Sequence, residues 1–175
     1  MMSLCRVDVV NVFLDQNSGS PVVLLQARDS GDVLPILVAP LEASLIAIEI
    51  EGKKPVRPLT HDLLASTIHS LSWQVESIVV EDLKDNIFYA KITLEREGER
   101  IEIDSRPSDA IALALRTKSP MFVRKKVFGL SMGLDRAAHT YDADTLKEML
   151  ENIDIDDVDR KSTRLNSSHG SQSRM

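Results

Sequence analysis

The chain has a single cysteine, Cys5, in 175 residues. That excludes an intramolecular disulfide framework and any cysteine-rich zinc centre. Aromatic residues make up only 4%, and Trp73, Phe88 and Tyr89 fall in or beside strand-like segments, a poor basis for a platform that stacks single-stranded bases. No apolar run approaches the ~18 residues of a membrane-spanning helix. The start, "MMSLCRVDVV", has neither a basic flank nor a long apolar stretch, so no targeting segment is read there and a soluble, cytoplasmic protein without a membrane partner is expected. Positive charge is scarce as well. The formal charge is −6, and because residues 160–175 hold four basic residues and no acid, residues 1–159 carry −10. So acidic a body offers no broad basic field for phosphates, and any nucleic acid must be held locally or through a metal. Walker-type, dinucleotide-binding, zinc-protease, nucleophile-elbow and CxxC signatures are all missing.

What is present is 43% hydrophobic content, enough for one core in a chain of single-domain size. "LCRVDVVNVFL" (4–14) reads as a strand ending at the turn cluster "DQNSGSP". "VVLLQA" (22–27) and "VLPILV" (33–38) flank "RDSGD", a hairpin turn with a glycine. "PLEASLIAIEIEG" (40–52) opens with proline and acid, sets Leu41, Leu45 and Ile48 at helical spacing and stops at Gly52. "THDLLASTIHSLSW" (60–73) predicts a second helix with Thr60 as N-cap and Leu64, Ile68 and Leu71 on one face. The order then returns: strands 74–82, 87–95 and 100–104, joined by the turns "LKDN" and "REGE", and a helix over 107–117.

Residues 17–49 lie over 84–116 at a constant offset of 67 without a gap, pairing Gly31 with Gly98, Leu34 with Ile101, Ile36 with Ile103, Pro40 with Pro107 and Glu42 with Asp109. The expected architecture is therefore α+β: a single compact domain of two pseudo-repeats, each three mainly antiparallel strands followed by a helix. "RTKSPMFVRKKVFGL" predicts one more strand and a basic turn, and "DADTLKEMLENI" (142–153) a C-terminal helix. The domain is drawn over 1–153. Residues 154–175 are an acidic end and a Ser/Arg/Asn/Gly-rich tail that reads as disordered or non-native.

Three polar clusters stand out. "DSRPSDAIALALR" (104–116) carries Asp104, Ser105, Arg106 and Ser108 where the first repeat has Leu37, Val38, Ala39 and Leu41. The scaffold does not call for them, although Ser105 can cap the helix and Arg106 can pair with Asp109. "RPLTHDLL" (57–64) sets His61 and Asp62 in the first turn of a helix. There His61 suits a surface residue, a metal ligand or a general base, and Arg57 a phosphate contact or a solvated charge. "LKDNIFYA" (83–90) supplies Lys84, Asp85 and Asn86, ordinary hairpin-turn residues.

Together "RPLTHDLL", "SIVVEDLKDNIFYAKI" and "IDSRPSDAIALALR" resemble the bifunctional nuclease domain family, with motif order and spacing in agreement from about Cys5 to about Val123. The resemblance implies a compact α+β homo-oligomer that cleaves RNA and DNA. Within it we assign Asp104, Asp109, His61 and Asp62 as candidate catalytic residues. Arg106, Arg57, Ser105 and Lys84 are the candidate substrate contacts. Asp104 and Asp109 would also hold a divalent cation such as Mg²⁺ or Mn²⁺, since such hard cations prefer oxygen ligands. The alternative is a non-catalytic oligomeric module whose polar cluster binds a small anion or a protein partner.

Overall fold

The computed structural model describes residues 3–16 and 18–131; the helix expected at 142–153, the acidic end and the tail lie outside them. Seven strands and four helices follow in the order β1 (Leu4–Leu14), β2 (Pro21–Ala27), β3 (Val33–Leu37), α1 (Pro40–Ile50), α2 (Thr60–Ser70), β4 (Gln74–Lys84), β5 (Ile87–Arg96), β6 (Glu99–Ser105), α3 (Pro107–Thr117), β7 (Met121–Arg124) and α4 (Lys125–Ser131). The α+β expectation holds. One correction is local: the stretch read as a basic turn after the last strand is helix α4.

All strands join one sheet in the order β3-β2-β1-β7-β4-β5-β6. Each meander runs outward from β7, which pairs antiparallel with β1 and parallel with β4. The two halves thus sit on either side of a strand that belongs to neither. Helices α1 and α3 begin and end 67 residues apart, as the offset requires. The ladders differ by two residues: Leu37 pairs with Val22, while its counterpart Asp104 pairs with Lys91 instead of Tyr89. An even slip keeps every side chain on its own face. Tight turns account for it. Asp85 and Asn86 both have positive φ, as do Glu97 and Gly98, the signature of two-residue type I′ hairpins.

Helix α3 packs against α1, α2, β4 and β5. Its alanines Ala110, Ala112 and Ala114 are buried with Ile111 and Leu113, so the small residues do allow close approach to the sheet. The expected inward faces of the other helices need correction. On α1 the residues turned in are Ala43, Ile46, Ala47 and Ile48, while Leu41 is exposed. On α2, Leu64 and Leu71 are exposed and His61 is the buried residue, with Ala65 and Ile68 packed partly against the core. Both helices rest at the edge of the core, where α3 takes the centre and leaves them a narrow inward stripe.

Candidate active site

The backbone before α3 is fixed by its proline. Arg106 is extended at φ −71°, ψ 146°, the conformation that a following proline favours, and Pro107 takes the first helical position. Neither Ser105 nor any other side chain caps α3, and on α2 the N-cap is Leu59, not Thr60. In place of a hydroxyl cap, Asp62 accepts a hydrogen bond from the Leu59 N–H at 2.7 Å.

Arg106 folds back over the first turn. Its Nε donates to Asp109 Oδ2 at 2.8 Å and its Nη2 to Asp109 Oδ1 at 3.2 Å, while Nη1 donates to Glu42 Oε1 at 3.0 Å. One guanidinium is therefore shared by the first-turn acids of both pseudo-equivalent helices, and two-thirds of its side chain faces solvent. Behind it, His61 Nε2 lies 3.2 Å from Asp109 Oδ1. His61 is 6% exposed as a residue, and its Nδ1 is buried without a hydrogen-bond partner. Nε2 thus faces the carboxylate, while Nδ1 points into the protein with nothing to bond to.

Burial pushes the Asp109 carboxyl up, but hydrogen bonds from Arg106 and His61, with the charge of Arg106, hold it below the ordinary aspartate value of 3.8. Asp109 is thus anionic through the neutral range. Two residues that the sequence placed in separate motifs, His61 and Asp109, meet; so do Arg106 and Asp109.

The other candidates are placed elsewhere. Asp62 turns its Oδ1 to Arg116 Nε at 2.7 Å. Arg116, a side chain only 5% exposed, also donates to the carbonyls of Ala112 and Leu45. Asp62 accordingly caps α2 and neutralises a buried cation. Asp104 is exposed on β6, paired with Lys91 in the ladder, and its side chain makes no hydrogen bond or ion pair with another described residue. Ser105 follows with its Oγ buried and without a partner. Arg57 is exposed in the segment before α2. Lys84 sits at the β4–β5 hairpin tip, 3.4 Å from Asp82 and 5.7 Å above the Tyr89 ring. That tip extends past Ser105, which ends β6 opposite Ala90.

Among the described residues, no three His, Cys, Asp or Glu side chains gather as ligands for a cation. Both oxygens of Asp109 accept from Arg106, and Asp62 is committed to Arg116. This arrangement does not fit the divalent-cation site expected on Asp104 and Asp109. Sequence reasoning missed two participants, Glu42 and Arg116. For Glu42 a signal was available, because the offset of 67 lays it over Asp109.

A family model described as the bifunctional nuclease domain matches residues 23–132. An uncharacterized protein of Mycobacterium tuberculosis is 34% identical over 161 residues, covering 87% of this chain and 96% of that one. Bifunctional nuclease 2 of Arabidopsis thaliana is 27% identical over 109 residues, 61% of this chain but 33% of its own. Bifunctional nuclease 1 of the same plant is 28% identical over 109 residues and 34% of its length. Among the described residues no helix is long and apolar enough to cross a membrane.

Proposed function

Because the chain belongs to the bifunctional nuclease domain family, we propose that it hydrolyses phosphodiester bonds in RNA and DNA at the Arg106–Asp109–His61 cluster, with Glu42 as a fourth member. The observation that carries this reading is an exposed guanidinium held in place from below by two carboxylates. Arg106 keeps a fixed plane of N–H donors, the geometry that matches non-bridging phosphate oxygens. Three of its five N–H groups are given to Asp109 and Glu42, and the other two are the donors a phosphate can meet.

Asp109 is anionic at neutral pH; its Oδ1 is taken up by Arg106 and His61, but Oδ2 meets only Arg106 Nε and keeps a lone pair, which is the acceptor for a proton of the attacking water. The new bond forms between that water oxygen and phosphorus, the P–O bond to the leaving ribose or deoxyribose oxygen breaks, and the leaving oxygen takes a proton from solvent. His61 orients Asp109 from the buried side, much as a second carboxylate or histidine fixes the reacting partner in other acid–base pairs. Glu42 shares the positive charge of Arg106 and sets its direction.

The test is cleavage of labelled single-stranded RNA and DNA by highly purified full-length chain, with and without EDTA or added Mg²⁺ and Mn²⁺, beside Arg106→Ala and Asp109→Asn. Each substitution should lower the rate by about 100-fold or more. Cleavage that persists unchanged in both variants would remove the site. A wild-type chain that cleaves nothing with any of these cations, yet binds short polyphosphates through Arg106, would favour the anion-binding reading.

A further inference from the structure

Strand β1 runs on to Leu14, but β7 pairs with it only from Leu4 to Val7. Between that point of β1 and the last turn of α3, with the 118–120 connection that follows it, lies a cleft of about 260 Å³. Its apolar lining comes from Val7, Ala114, Leu115, Pro120 and Met121. Its charged lining is Arg6, Arg28 and Lys118 with a single carboxylate, Asp8. Arg28 gives Nε and one Nη2 hydrogen to Asp8, at 2.7 Å each, and keeps three of its five N–H groups. Arg6 reaches Asp8 only through its charge, and neither its side chain nor that of Lys118 makes a hydrogen bond or ion pair with another described residue. Three cations thus face one acid, in a chain whose formal charge is −6.

Lys118 closes α3 in the left-handed region, at φ 57° and ψ 29°, where glycine is the ordinary residue. The backbone there does not call for a lysine. Nor does the helix need it as a C-terminal cation, because Arg116 already stands in the last turn. The carbonyl of Ala114 accepts from the N–H groups of both Lys118 and Ser119, and that of Leu113 from the Thr117 hydroxyl. Those bonds blunt the negative end of α3 beside the cleft.

We propose that this cleft binds a small organic phosphomonoester, no larger than a mononucleotide, with its phosphate among Arg6, Lys118 and the remaining N–H groups of Arg28 and its body on Val7, Leu115 and Met121. A phosphomonoester carries close to two negative charges at neutral pH and three acceptor oxygens, which matches a surplus of two cations; a carboxylate leaves one of them unmatched. The apolar lining asks for a body with apolar or planar surface, which inorganic phosphate lacks. The cleft lies just under the roughly 300–1,000 Å³ of sites for drug-sized ligands, so a longer nucleotide chain does not fit within it. The site is separate from the Arg106 cluster. That cluster is built on the first turn of α3 and this one on the last, and a helix of 11 residues sets them about 16 Å apart. The proposal does not rest on the nuclease reading.

Isothermal titration of the full chain with 5′-AMP, ribose 5-phosphate, adenosine and inorganic phosphate tests it. At least one of the two phosphomonoesters should bind, with adenosine and inorganic phosphate weaker by about tenfold or more. Comparing 5′-AMP with ribose 5-phosphate tells whether a base or a sugar alone fills the apolar part. Arg6→Gln and Lys118→Gly should each weaken the tighter phosphomonoester by about tenfold or more. Glycine suits the backbone at 118, so Lys118→Gly should match or exceed wild type in thermal unfolding, and its loss of binding is then not loss of fold. Arg106→Ala should bind as wild type does. The proposal is overturned if neither phosphomonoester binds at millimolar concentration, or if binding survives both cleft substitutions. It is equally overturned if binding is lost in Arg106→Ala, which would assign the ligand to the first turn of α3, or if inorganic phosphate or adenosine binds as tightly as the phosphomonoesters.

Discussion

Glu42 and Asp109, 67 positions apart and each in the first turn of its helix, grip the same guanidinium, that of Arg106. An acid in the first turn is expected at any helix N-terminus, where it complements the partial positive charge. Here the two serve a cation that only the second repeat supplies. Arg106→Lys should not substitute, since a single ammonium does not span both carboxylates as a planar fork does. Cleavage by Arg106→Lys should therefore resemble that of Arg106→Ala more than wild type, and a variant with wild-type rate would show that charge alone suffices.

Stability should respond to Asp109 in a defined pH window. Its folded-state pKa lies below the ordinary 3.8, so its contribution is fully present above that value and is lost as pH falls through the folded pKa. Wild type should be more stable than Asp109→Asn at neutral pH. The gap should close on acidification below about pH 4, as read from urea unfolding at a series of pH values. A gap that widened toward low pH would contradict the assignment.

Arg116 should matter more for folding than for chemistry. Its side chain is nearly fully buried and donates to Asp62 and to two backbone carbonyls. Arg116→Ala leaves those acceptors unpaired, and a loss of about 3 kcal/mol in unfolding free energy is expected. Denaturant titration measures it, and a cost within experimental error would mean that Asp62 and the carbonyls find water instead.

Glu97, like Ser72 and Lys118, is held in the left-handed region that its side chain disfavours: it has φ 51° in the β5–β6 turn, followed by Gly98 at φ 86°. Asn tolerates this left-handed region better than Glu and precedes Gly in the preferred two-residue hairpin. Glu97→Asn should stabilise the protein by about 0.5 kcal/mol, seen as a higher denaturant midpoint with an unchanged slope.

The parts of this structure that were legible in sequence are those decided locally. Turn residues placed both hairpins of the second repeat, and Pro107 with the alanine run placed α3 to the residue. Two misreadings were local, the basic turn that is helix α4 and the N-cap of α2, and the others were tertiary. Leu64 and Leu71 recur at helical spacing, yet α2 turns His61 inward because the position of α3 leaves room only for that stripe. The same packing brings His61 to Asp109 across 48 residues, and Arg116 to Asp62 across 54. Periodicity reports which residues share a face of one helix, and nothing in it states which neighbour that face will meet. Asp104 shows the converse: a polar residue in a conspicuous motif can be left exposed on its strand, its side chain without a partner among the described residues.

The four residues of β7 hold residues 4–7 to 78–80, and this sets an order of events as the chain is made. Each meander can close on itself from contacts near in sequence, so the first can form while the second is still being synthesised. The halves cannot be sewn together until residues 121–124 have emerged, by which time α3 is complete. A newly made chain halted before that point would present two half-sheets with open inner edges, the state in which edge-to-edge association with other chains is most favoured.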